Sequence, residues 1–176
     1  KGGPVEVRQR PDGLEIVLKE RDKQPIATVV QLNLDRPALE LGAIDVPAQT
    51  PVSANARTTA SNVYQNLQEF GPEKATDGHD DTRWATDAGL KSAWLEVDLG
   101  KPTTIKRAKI SEAFPNRVQR FALKHRVGDV WETILTGTTI GESWSRSFSP
   151  VTAQYVRLEI LESTDGPTIW EFQLFQ

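Results

Sequence analysis

The chain of 176 residues contains no cysteine, which excludes a disulfide framework, a thiolate zinc site and a thiol nucleophile. It also lacks an excess of positive charge: the formal net charge is -3, with lysine and arginine dispersed. Nucleic acid is therefore excluded as the main partner, because phosphate binding calls for a basic stripe. No apolar run approaches the ~20 residues that a helix needs to span a bilayer. The opening "KGGPVEV" carries no signal-peptide pattern and reads as part of a longer polypeptide. "GESWS" at 141–145 misses the nucleophile-elbow pattern, having Ser145 where glycine is required.

What the chain does have is strand pattern. "VEVRQR" and "GLEIVLKE" flank the turn "PDG", and "IATVVQLNLD" makes a third β-branched run before the proline-punctuated segment that follows Asp35. Three strands in 46 residues bury too little apolar surface to fold alone. Residues 1–46 are thus expected to be the last strands of a preceding β-sandwich domain. Residues 47–176 are long enough for a complete all-β domain. Eight strand candidates follow there: "ARTTAS", "AWLEVDLG", "TIKRAKISEA", "QRFALKHRV", "WETILTG", "SRSFS", "AQYVRLEIL" and "IWEFQLF". Short strands punctuated by turn residues at this spacing predict a sandwich or jelly roll. Leu95, Val97 and Leu99 alternate onto one face, as do Val156, Leu158 and Ile160. His125 shares the parity of Phe121, Leu123 and Val127, which predicts a partly buried structural histidine.

The exception is the stretch from Ser61 to Ser92, some thirty residues without strand periodicity. A loop that long in a compact domain is either functional or in need of an organiser. At its centre "ATDGHDDTRWATD" gathers four aspartates, a histidine and a tryptophan. Numbered from Asp77, an EF-hand would want ligands at the third and fifth positions, glycine at the sixth and glutamate at the twelfth; the chain offers His79, Asp81, Thr82 and Ala88. That pattern fails. Asp77, Thr82 and nearby carbonyls are nevertheless hard oxygen donors of the kind Ca²⁺ takes, about six to eight at a time, so another segment would have to contribute.

"KATDGHDDTRW", "AWLEVDLG", "RFALKHRVGDVWETI", "AQYVRLEIL" and "EFQLF", in that order, resemble the discoidin or coagulation-factor C-type fold, which includes the family 32 carbohydrate-binding modules. The resemblance covers about residues 50–176. It implies a structural Ca²⁺ held by side-chain oxygens of Asp77 and Thr82 and carbonyls of Lys74, His79 and Thr82, closed by Glu171 with the Trp170 carbonyl beside it. "TASNVYQNLQEFGPEKATDG" and "KISEAFPNRVQRF" further resemble the C-terminal discoidin module of bacterial family 29 glycoside hydrolases, the α-L-fucosidases, and residues 1–46 resemble the sandwich that follows their catalytic barrel. The resemblance implies an extracellular or periplasmic setting, with the fucosidase nucleophile and acid in a barrel outside this sequence. Within it, Asp80 and Asp81 are adjacent in a turn, unlike the two carboxyl groups about 5 Å apart across a cleft that a retaining glycosidase needs.

A glycan, fucosylated or galactose-containing, is the expected partner beside the parent catalytic domain. Sugars are held by aromatic faces and planar polar groups on loops. Tyr64, Asn66, Phe114, Asn116 and Arg117 are the candidates, with Glu112 as a further group that could act with Arg117 in a sugar site or in an ion pair at a domain junction. Trp84 is expected in the core. Galactose-binding relatives carry histidine after the loop tryptophan and arginine near the end of the strand "AKISE"; here Ala85 and Glu112 stand at those places. A structural module that only packs on a catalytic domain is the alternative. Phospholipid binding would want several exposed apolar spikes with basic neighbours, and only Phe114 beside Arg117 fits.

Overall fold

The structure, a computed structural model, describes residues 50–176 and two backbone strands nearer the N-terminus. Packing divides the chain into two compact units, Lys1–Val46 and Pro47–Gln176. In the first, β1 (Glu6–Arg10) and β2 (Gly13–Val17) pair antiparallel, Glu6 opposite Val17 and Arg10 opposite Gly13. The strand expected over 26–35 and the proline-rich segment after it lie outside the described residues.

The second unit is an antiparallel β-sandwich of β3 (Arg57–Ala60), β4 (Trp84–Ala85), β5 (Ala93–Glu112), β6 (Val118–Val127), β7 (Val130–Gly137), β8 (Trp144–Ser163) and β9 (Thr168–Phe175). Two pairs of sequence candidates merge here. "AWLEVDLG" and "TIKRAKISEA" become β5; "SRSFS" and "AQYVRLEIL" become β8. Each long strand has 20 residues, which laid straight would span ~65 Å. That is nearly twice the ~35 Å width expected for a domain of this size, so both must bend. Register shifts between Asp98 and Thr103 and between Ile105 and Arg107 mark the bend in β5, with Gly100 at φ 76° inside it. Strands that bend in this way pass from one layer of a sandwich to the other. The first half of β5 pairs with β3 and the second half of β8, which pairs onward with β6 and then β7. The second half of β5 pairs with the first half of β8 and with β9, which in turn holds β4. Gly100 and Pro102 looked like strand ends because turn residues bend and break strands with the same local signal.

Between the layers lie Leu95, Val97, Ile105 and Ile110 of β5, Phe121 and Leu123 of β6, Val156, Leu158 and Ile160 of β8, and Ile169, Phe172 and Leu174 of β9, all at most 1% exposed. Leu99 packs against this core from its margin. Trp84 is fully buried and its indole N–H donates to the Asn62 carbonyl at 3.0 Å, as an indole in a core requires. His125 is half-buried on β6, with Nε2 3.8 Å from the Glu132 carboxylate.

Candidate functional site

The stretch from 61 to 92 is organised without regular structure beyond three 3₁₀ turns, Tyr64–Asn66, Gln68–Phe70 and Pro72–Ala75, and the short β4. Its ends are clamped by a reciprocal pair. The Asn62 side-chain amide donates to Asp87 Oδ2, the Asp87 N–H donates to Asn62 Oδ1, and the Gln65 N–H donates to Asp87 Oδ1, each at 2.8 Å. The donors from Gln65 and Asn62 hold the Asp87 carboxyl below its ordinary value. Gly166, buried against this clamp, has no space for a side chain, because a Cβ there would collide with the Asp87 carbonyl.

The acidic loop lies inside this stretch. Asp77 accepts the Thr82 hydroxyl at 2.9 and 2.8 Å and the His79 N–H at 3.1 Å, and Lys74 Nζ lies 3.8 Å from its Oδ2. Glu171, on β9 and 5% exposed, accepts the Gly78 N–H at 3.0 Å. The chain's last strand therefore closes on the loop from outside it. Burial pushes the Glu171 carboxyl up, the Gly78 N–H pulls it back, and the negative charges of Asp77 and Asp80 raise it further. Among the described residues no three or more histidine and acidic side chains converge on one point. Two carboxylates and a hydroxyl are the side-chain donors gathered here, and they suit a hard cation if carbonyls complete its shell.

Next to this loop, at the end of the sandwich where β5 leads to β6 and β8 to β9, lies a cleft of ≈340 Å³. Tyr64, Phe70 and Phe114 supply rings, and Arg83, Arg117 and Asp165 supply charge. Tyr64 and Phe70 meet edge to face at 5.4 Å. Phe114 is 46% exposed, with the Arg117 guanidinium 4.1 Å and that of Arg83 5.8 Å from its ring centroid. Arg117 is fastened from behind: it donates to the Gly166 carbonyl at 3.1 Å and lies 3.4 Å from Asp165. The N–H groups of Gly89 and Gly166, with Arg117 and Lys91 in support, hold the Asp165 carboxyl below its ordinary value. Two larger hollows, of ≈580 Å³ beside Asp98 and Tyr155 and ≈540 Å³ beside Trp144 and Arg146, are lined by one ring apiece.

Of the sequence candidates, Tyr64, Phe114 and Arg117 thus line one cleft. Asn66 and Asn116 do not line it; each holds a turn with positive φ, 55° and 71°, and the Asn116 carbonyl accepts from Gln119. Glu112 is a correction. It is 2% exposed, and its carboxylate takes the Val118 N–H at 2.8 Å and the Gly141 N–H at 2.7 Å. It neither lines the cleft nor pairs with Arg117. Burial pushes its carboxyl up, opposed by backbone N–H groups of Val118, Gly141, Asn116 and Arg117. Glu112 folds the 113–117 loop from inside and so presents Phe114. Phe70, Arg83 and Asp165 were missed as site residues. Arg83 had one signal, its place between the acidic loop and the buried Trp84; Phe70 and Asp165 had none, because they meet the cleft only through the fold.

An antiparallel sandwich that presents rings and guanidinium groups on the loops at one end has the build of a carbohydrate-binding type of module. The chain belongs to the F5/8 type C domain family, which matches residues 57–172. Over 127 residues it is 32% identical to the Oryza sativa subsp. japonica protein named "Putative alpha-L-fucosidase 1", covering 70% of this chain and 25% of that protein. The Ruminococcus gnavus GH29 fucosidase, solved in complex with fucose, shares 28% identity at a TM-score of 0.66, over 72% of this chain and 26% of the enzyme. Chitosan-binding module 1 of a chitosanase/glucanase from Paenibacillus sp. IK-5 shares 27% identity at a TM-score of 0.63, over 72% of this chain and 98% of the module. The chain spans about a quarter of the fucosidases it matches and nearly all of the chitosan-binding module.

Proposed function

We propose that residues 47–176 form a non-catalytic glycan-binding module that accompanies an α-L-fucosidase catalytic domain in a longer polypeptide, with a structural Ca²⁺ at the acidic loop. The observation that carries the glycan reading is the cleft itself: three rings and two guanidinium groups on loops at one end of the sandwich. Ring faces take up the apolar faces of sugars, and guanidinium forks bridge pairs of hydroxyl oxygens. Similarity to a chitosan-binding module and to fucosidases supports this assignment and the choice of parent enzyme.

Asp77, Thr82 and Glu171 would hold the ion through side chains, and Lys74, His79, Thr82 and Trp170 through carbonyls. Ca²⁺ there would supply positive charge between Asp77 and Glu171 and tie the loop to the last strand. The staple bears directly on the cleft, because Thr82 precedes Arg83 and Glu171 follows Trp170, whose ring lies 5.3 Å from the Arg83 guanidinium.

Calorimetric titration of the folded chain with galactose, fucose, chitooligosaccharides and fucosylated oligosaccharides tests the glycan reading. Phe114→Ala should weaken binding about two- to tenfold, equivalent to the ~0.5–1.5 kcal/mol contribution of an aromatic contact, and leave the melting temperature nearly unchanged. If no soluble sugar binds and the chain gains stability only when joined to its parent enzyme, the module is a structural spacer instead.

A further inference from the structure

The two cations of the cleft are not equivalent. Arg117 has Asp165 as counter-ion and a carbonyl as acceptor. Arg83 has neither. Among the described residues it makes no ion pair and no hydrogen bond, and its Nε–H is shielded from solvent without an acceptor. Its neighbours are ring faces: Phe70 at 5.1 Å, Trp170 at 5.3 Å and Phe114 at 5.8 Å. Such faces attract a cation but accept no hydrogen bond of ordinary strength. A guanidinium carries five N–H donors in a planar fork and keeps its charge at any physiological pH. Arg83, Arg117 and Asp165 are the charged residues that line the cleft, so it carries one uncompensated positive charge.

We infer that the cleft selects an anionic glycan, one whose sugar carries a carboxylate or a sulfate ester that pairs with Arg83 while a neighbouring ring face stacks on Phe114. This rests on the glycan-binding reading and narrows it to a substrate class. A carboxylate meets a guanidinium through two parallel hydrogen bonds, and charge-assisted bonds of this kind are about twice as strong as neutral ones. The partly desolvated surroundings strengthen them further. A neutral sugar would leave Arg83 without a counter-ion and cover it, which is costly. A uronic or sialic acid provides the planar group; a sulfate ester provides similar oxygens with tetrahedral geometry. The fork favours the former.

The test compares ligands that differ at the charged group alone. Oligogalacturonate is titrated against its methyl ester, sialyllactose against its methyl ester, and galactose 6-sulfate against galactose, each at low and at physiological salt. At least tenfold tighter binding of the acid than of its neutral counterpart is expected, with the advantage shrinking as salt rises. Arg83→Met keeps the aliphatic stem against the rings and should remove the preference; Arg83→Lys should keep only part of it. Preference for the carboxylates over the sulfate, or the reverse, identifies the source of the charge. Equal binding of acid and ester by the unmodified protein overturns the inference and leaves the glycan reading standing, and it does so even if the variants fail to fold. Binding of none of these sugars, nor of the neutral panel, removes both. A preference for acids that survives Arg83→Met in a folded variant also overturns the assignment to Arg83.

Discussion

At the scale of single residues, carboxylates with the same chemistry perform opposite tasks. Asp165 and Asp87 sit among N–H donors at the surface and stay ionised easily. Glu112 is taken into the interior, where its charge is tolerated because backbone N–H groups converge on it. Glu112→Gln should therefore destabilise the domain by ~1–3 kcal/mol, since an amide cannot accept from both sides and leaves a buried donor unmatched. Chemical denaturation measures this. The pH dependence has a defined sign. Because its folded-state value is raised, Glu112 binds its proton more tightly in the native state, so its contribution to stability declines as pH rises from the ordinary carboxylate value of 4.5 through the raised one. The Gln variant should show a flatter profile across that window, and an unchanged slope would contradict the assignment. Asp87 works the other way: its contribution is present above the ordinary value of 3.8 and is lost as pH falls through its lowered one.

At the scale of elements, the thirty-residue stretch before β5 is held by a few long-range ties rather than by periodicity. Asn62, Asp87 and Gly166 form one tie; Asp77, Gly78 and Glu171 form another. Gly166→Ala must push the 164–167 and 86–87 segments apart, and a loss of ~1–3 kcal/mol is expected, with faster hydrogen exchange in both segments. The second tie predicts a metal effect. Removing Ca²⁺ with a chelator should lower the melting temperature, because an ion bound only to the folded state adds ~2.7 kcal/mol at a hundredfold excess over Kd. Asp77→Ala should abolish the response to added Ca²⁺. The same chelation should weaken glycan binding, given that Arg83 and Trp170 are sequence neighbours of Thr82 and Glu171. A melting curve indifferent to chelator and to added Ca²⁺ would refute the staple.

At the scale of the whole molecule, the proposed function assigns binding, and not catalysis, to this chain. The cleft holds rings, two guanidinium groups and Asp165, which is fastened to two backbone N–H groups and lowered, the reverse of the raised carboxyl that acts as a glycosidic acid. The 176-residue chain should therefore release no more aryl alcohol from an aryl α-L-fucoside than buffer does; turnover that persists through repurification would reverse the division of labour. Among the described residues no helix is long and apolar enough to cross a membrane.

Much of this architecture was legible in the chain. Alternation in "LEVDLG" and "YVRLEIL" placed Leu95, Val97, Val156 and Leu158 on core faces, because a pleated strand sends every second side chain the same way. "TDGHDDTRW" marked a loop needing an organiser, and its composition pointed to oxygen-donor chemistry. Tyr64, Phe114 and Arg117 were recognisable as ring and fork on loops. Tertiary structure decided the rest. It turned four predicted strands into two long ones, because Gly100 and Pro150 bend a strand that both neighbouring sheets continue to pair. It moved Glu112 from the surface to the interior, because four backbone donors converge there from segments up to 29 residues away. It brought Phe70, Arg83 and Asp165 to one cleft. Periodicity and motif are local properties of a chain, whereas a burial, a counter-ion or its absence depends on residues that meet only after the strands have paired.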